Sequence, residues 1–167
     1  IEHESRLRAD KSMDQEARLK VDIAFLQETL GAQFYGCNMF KKGKGGMFGS
    51  AWKERFFLLK IEAFEPVIAY YENRKKHAEG ASPKGKLHLD ANTKVFLDAN
   101  ATLKGGRGGM SCGLNVLCTE DSGSARTFEL LTKSKSVATA WQAAILHIVS
   151  KLRDFVKGHD MVSDAET

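Results

Sequence analysis

The sequence predicts a mostly β domain with flanking helices. It is a barrel or sandwich of seven short strands, capped by a C-terminal α-helix and preceded by an amphipathic helix. Two observations carry this. From about residue 34 to residue 132, apolar and polar residues alternate in short runs separated by Gly, Pro, Asn or Asp. Period two is the mark of half-buried strands. Beyond Ser136 the period changes, and Val137, Trp141, Ala144, Ile145, Ile148, Leu152 and Phe155 form one helical stripe. At 167 residues the chain holds one domain plus an extension, and it can bury a core without staples.

The elements follow in order. Residues 4–30 lack Gly and Pro and are rich in Arg, Glu, Ala and Leu. Leu19, Ile23, Leu26 and Leu30 fall at spacings of four, three and four, so one face of that helix is apolar and Gly31 ends it. The first half carries no such stripe beyond Leu7 and Met13. The second half is expected to dock on the same domain, since one or two heptads support a coiled coil poorly. Strands are expected near 34–41, 53–61, 67–72, 85–89, 94–98, 114–119 and 126–132. The last helix can be capped by Ser134 or Ser136, and Gly158 is its expected end. A barrel has two open ends. The last helix, with Trp141 as its largest side chain, is expected to plug one and leave the other free.

Charge is concentrated rather than large. The formal net charge is +4. Residues 41–60 hold Lys41, Lys42, Lys44, Lys53, Arg55 and Lys60 against Glu54 alone. Residues 72–86 hold Arg74, Lys75, Lys76, Lys84 and Lys86 against Glu72 and Glu79. From Asp154 onward the chain is acidic. Lys53 and Arg55 are two apart, so they share a strand face with Phe57 and Leu59. If Phe57 and Leu59 are core, the two cations line the mouth of the barrel. Gly43, Gly45 and Gly46 let backbone N–H groups approach an anion closely, and Arg55 can grip a phosphate with two prongs. Tyr70 can donate one hydrogen bond. Met47 and Phe48, between glycines at the loop tip, are placed to insert into a bilayer interface.

Other classes of function find little support. Cys37, Cys112 and Cys118 are odd in number and lack C-x-x-C spacing, which fits unpaired thiols in a reducing compartment. The five histidines are scattered without metal spacing, and no nucleophile–base motif is present. No enzyme activity, metal or cofactor is expected. The glycine-rich stretch 105–109, with Lys104 and Arg107 near it, lacks the Lys-Ser/Thr of a phosphate-binding loop and is expected to be an irregular loop. No run approaches the ~20 apolar residues of a membrane span, and no signal peptide is visible. The chain opens on Ile1 rather than Met, so a preceding segment is expected.

The order of motifs resembles the pleckstrin-homology (PH) domain from about Phe34 to Phe155. The matching pieces are Trp52 to Leu59, Tyr70-Tyr71, Lys84-Gly85-Lys86-Leu87, Phe128-Glu129-Leu130 and a mid-helix Trp141. In phosphoinositide-binding members a basic residue late in the first strand precedes a loop, then (Lys/Arg)-x-Arg, then a Tyr in the third strand. Lys41 or Lys42, Lys53, Arg55 and Tyr70 match that pattern. The usual opening is one residue longer here, Gly36 to Gly43, which leaves open which of Lys41 and Lys42 faces the mouth. The leading helix is not part of that pattern, so the chain is expected to divide into a leading amphipathic helix (1–31), a PH-like domain (32–157) and an acidic flexible tail (158–167). The resemblance implies headgroup contacts from Lys41 or Lys42, Lys53, Arg55 and Tyr70, and the two basic runs add Lys44, Lys84 and Lys86 to the expected site. It also implies a monomer at the cytosolic face of a membrane, with anionic phospholipid (phosphoinositide or phosphatidic acid) as partner and no nucleic acid. The plan is similar to that of the acylated PH proteins of apicomplexan parasites, which recognise phosphatidic acid. The rival expectation is a protein-interaction scaffold assembled through the leading helix.

Overall fold

The computed structural model describes residues 36–43, 52–62, 65–98 and 112–165, with side chains to Asp154, and three isolated helical positions, Ala17, Lys20 and Ala24. The rest of the expected leading helix, the expected insertion residues of the first basic loop and the second glycine-rich stretch lie outside the described residues. Seven strands run in order: β1 (Cys37–Lys42), β2 (Trp52–Glu62), β3 (Glu65–Tyr71), β4 (Gly85–His88), β5 (Lys94–Asp98), β6 (Cys112–Thr119) and β7 (Ala125–Thr132). All pairings are antiparallel, in the order β4-β3-β2-β1-β7-β6-β5. His88 of β4 also pairs with Thr119 of β6, so six strands close into a barrel. β5 lies outside that closure and pairs with β6.

Alternation places the core. Phe57 and Leu59 of β2, Ile68 of β3, Leu87 of β4, Leu114 and Val116 of β6, and Phe128 and Leu130 of β7 point inward and are buried. A helix, α2 (Lys135–Ala165), follows the last strand. Of the two candidate caps it uses Ser134, whose hydroxyl accepts the Val137 N–H at 3.2 Å. Val137, Trp141, Ala144, Ile145, Ile148 and Leu152 join the barrel core, and Trp141 is fully buried. Each such side chain contributes roughly 1.5–3 kcal/mol when taken from water. The helix does not stop at Gly158; helical backbone continues to Ala165. One glycine costs a helix only about 1 kcal/mol, and nothing requires a stop where flanking residues remain helix-compatible.

One short element was not foreseen. Between β3 and β4 lies α1 (Arg74–Ala78), a single turn opened by Asn73, whose side chain accepts the Lys76 N–H at 2.8 Å. It orders the second basic run.

Candidate functional site

Trp141 of α2 lies close to Cys37 at the start of β1, near enough to act on its thiol. Lys41 is four residues further along the strand, about 13 Å away at the spacing of extended chain. The helix therefore packs at one end of β1, and the cations of the first hairpin gather at the other. β1 pairs with β2 through Met39↔Arg55 and Lys41↔Lys53. Met39 is fully buried, so its inward face continues as Lys41. That resolves the choice between neighbours. Lys41 faces the mouth, with its ammonium 5.1 Å from the centre of the Tyr70 ring and 5.7 Å from that of Phe128. Lys42 turns to the other face, pairs with Glu129 at 3.5 Å and lies over Trp52.

A cavity of about 230 Å³ opens here, lined by Lys41, Gly43, Lys53, Arg55, Tyr70 and Lys84. Four cations and a phenol share it, and among the described residues no acid lines it. The Arg55 guanidinium donates to the neighbouring Glu54 carbonyl at 3.0 Å, which steadies it along the strand. Lys84 arrives because its N–H donates to the Tyr70 carbonyl at 2.7 Å. Burial raises the Tyr70 hydroxyl above its ordinary pKa, so it remains a neutral donor through the physiological range. Tyr70 sits where it does because residue 85 is glycine: a Cβ there would overlap its ring and hydroxyl.

Lys86 does not reach the mouth. It is the β4 partner of Ala69, on the opposite face from Leu87, and it pairs with Glu62. Lys44, Met47 and Phe48 lie outside the described residues. One residue was missed. Arg126 is the second residue of β7, on the inward face, two before Phe128. Its guanidinium carbon lies 4.3 Å from the centre of the Phe128 ring, and its charge acts on Tyr70. Glu120 holds it at 3.4 Å in a largely buried pair. The signal was the period-two run Arg126-Thr-Phe128-Glu-Leu130, read by the same alternation that placed Lys53 and Arg55.

The family model for the PH domain matches residues 33–150. The chain belongs to the PH domain family. This PH domain is similar in structure to the C-terminal PH domain of pleckstrin in complex with D-myo-Ins(1,2,3,4,5)P5. The two are 18% identical, with a TM-score of 0.44 over 68% of this chain and 94% of that one. The same pleckstrin domain with D-myo-Ins(1,2,3,5,6)P5 gives 17% identity and a TM-score of 0.47, over 68% and 92%. The C-terminal PH domain of human pleckstrin gives 18% and 0.42, over 71% and 88%. A search of curated proteins finds no match. Among the described residues, no helix of this PH domain is long and apolar enough to cross a membrane, and no cluster of His, Cys, Asp and Glu could hold a metal.

Proposed function

We propose that this PH domain is a non-catalytic module that brings its protein to a membrane by binding the phosphorylated headgroup of an anionic lipid, a phosphoinositide or phosphatidic acid. The observation that carries this reading is the mouth itself. Lys41, Lys53, Arg55 and Lys84 converge with the Tyr70 hydroxyl on one cavity that, among the described residues, no carboxylate lines. Like charges repel, so the empty cluster costs stability that a bound phosphate returns. The volume is below the ~300–1,000 Å³ of sites for drug-sized ligands, which suits a small, highly charged group. Arg55 supplies a planar fork and the lysines supply point charges. Each cation near an anionic surface adds on the order of 1 kcal/mol, so the domain acts as a reversible, peripheral binder on the cytosolic side. The unpaired thiols of Cys37, Cys112 and Cys118 agree with a reducing compartment.

The test is cosedimentation with liposomes of phosphatidylcholine alone or doped with phosphatidylserine, phosphatidic acid or a phosphoinositide. Binding is expected to the anionic set and to be strongest where the headgroup is a phosphomonoester. The Lys53→Ala/Arg55→Ala variant should stay folded and lose that binding. Full binding by the folded variant would remove the mouth from the reading. No binding to any vesicle, with self-association instead, would favour the scaffold function.

A further inference from the structure

The outside of the barrel carries a second apolar surface that the mouth does not use. On β2 and β3, Phe56 faces Tyr71 and Leu58 faces Ala69 across the ladder. All four point away from the core, yet each is at most 5% exposed. Among the described residues they form a buried cluster of their own. His77 of α1 covers one side, 4.6 Å from the Tyr71 ring and 5.4 Å from that of Phe56, and the Arg74 guanidinium lies over Phe56. Lys60 borders Tyr71 from the strand, donating to its hydroxyl at 3.2 Å, and Lys86 is the neighbour of Ala69 on β4. Both ammoniums are drawn to Glu62, and no large apolar side chain among the described residues outside the cluster is recorded over Leu58 and Ala69.

The chain enters the barrel against this surface. Gly36 has φ +73°, a left-handed turn, and a Cβ there would lie 2.8 Å from the Phe56 ring. The Arg74 guanidinium ties the Gly36 carbonyl down at 2.8 Å. The 35 residues before Gly36 therefore lead away from the edge of the patch. They contain the stripe Leu19, Ile23, Leu26 and Leu30. Ala17, Lys20 and Ala24 are helical and exposed. At about 100° per residue they lie roughly 90–150° around the helix from that stripe, on the side a docked helix leaves in water. Residues 31–35 can span up to ~17 Å, enough to turn back onto the sheet.

We propose that residues 17–30 lie as a helix across the outer face of β2 and β3, in the same molecule, with Leu19, Ile23, Leu26 and Leu30 seated on Phe56, Leu58, Ala69 and Tyr71. Ala69, small at the centre of the patch, lets the helix approach the sheet closely. The inference is independent of the headgroup reading, because it concerns a different face.

The test compares the full chain with Ile23→Glu/Leu26→Glu on the stripe and Ala17→Lys/Ala24→Lys on the exposed face. The first should lower Tm by about 5–10 °C and expose dye-binding apolar surface; the second should leave Tm unchanged. Sedimentation velocity of the wild-type chain should report a monomer. Should the glutamate variant fail to fold, a milder cycle serves: Ile23→Ala/Leu26→Ala, Leu58→Ala, and all three together. The combined Tm loss should be clearly smaller than the sum of its parts, because the same contacts are removed twice. Strict additivity, an unchanged Tm in the glutamate variant, or a wild-type dimer that becomes a stable monomer on disrupting the stripe would each overturn the proposal.

Discussion

Tyr70 keeps its place in the mouth because residue 85 has no side chain. Gly85→Ala would drive a methyl into the phenol, and the ring is the part able to move, toward the cavity it now edges. The expected result is a stability loss of about 1–3 kcal/mol, typical of overpacking, with weaker binding of a soluble inositol phosphate by calorimetry. Tyr70→Phe should leave stability nearly intact and weaken headgroup binding about two- to ten-fold, the worth of one hydrogen bond. Equal binding by Tyr70→Phe would show that the ring matters and the hydroxyl does not. Arg126 is a different kind of residue. Its charge is offset by Glu120 and lies over the Phe128 ring. Glu120→Gln leaves that cation without its acid. The expected outcome is a lower melting temperature together with tighter binding to anionic vesicles, since a fifth charge then faces the phosphate. A fall in both would mean that the pair only holds the β6–β7 turn.

At the scale of elements, the first hairpin is where strand and tip can be tested apart. The strands hold Lys41, Lys53 and Arg55 in register. The tip, which the sequence reading assigns to insertion, carries Met47 and Phe48. Ser at both positions should leave affinity for a soluble headgroup unchanged and reduce affinity for bilayers. Equal losses for both ligands would assign the tip to the headgroup instead. Salt separates the contributions further: screening acts over about 8–10 Å near physiological ionic strength, so the electrostatic part should weaken while an inserted Phe48 persists. Helix α2 contributes by closing one end. Its buried Trp141, Ile145 and Ile148 make that end part of the core, away from the cavity at the hairpin end.

At the scale of the molecule, burial of weak acids sets the response to alkali. Burial pushes the Cys118 thiol from 9.0 up to about 12, and it also raises Cys37 and Tyr70. The folded state therefore keeps protons that the unfolded chain releases. This contribution to stability is fully present below about pH 9 and is lost as pH rises through the folded values. Urea melts at pH 8, 9, 10 and 11 should show stability falling across the upper part of that range. Cys118→Ala should start lower, from the lost packing, and fall with a shallower slope. A slope unchanged by the substitution would place the alkaline limb elsewhere.

Much of this was legible in the chain because alternation is local. Seven strands, the shared face of Lys53, Arg55, Phe57 and Leu59, and the capping helix with Trp141 all follow from period two giving way to a helical period. Lys86 was legible too, since Leu87 must point inward and its neighbour therefore outward, and Arg126 could be read from Phe128 in the same way. The rest needed the folded molecule. Phe40 and Met39 are both large and apolar, so either could have been the inward residue of β1, and only the pairing of Met39 with Arg55 decides that Lys41 enters the mouth. Closure through His88 and Thr119 leaves β5 outside the ring, a long-range pairing that no local pattern encodes. α1 is a single turn, too short to show a periodicity. The second buried surface, Phe56 with Tyr71 and Leu58 with Ala69, makes β2 apolar on both faces. By itself such a run says only that both faces are covered. What covers each face depends on which distant parts of the chain arrive there, and that is a property of the tertiary structure.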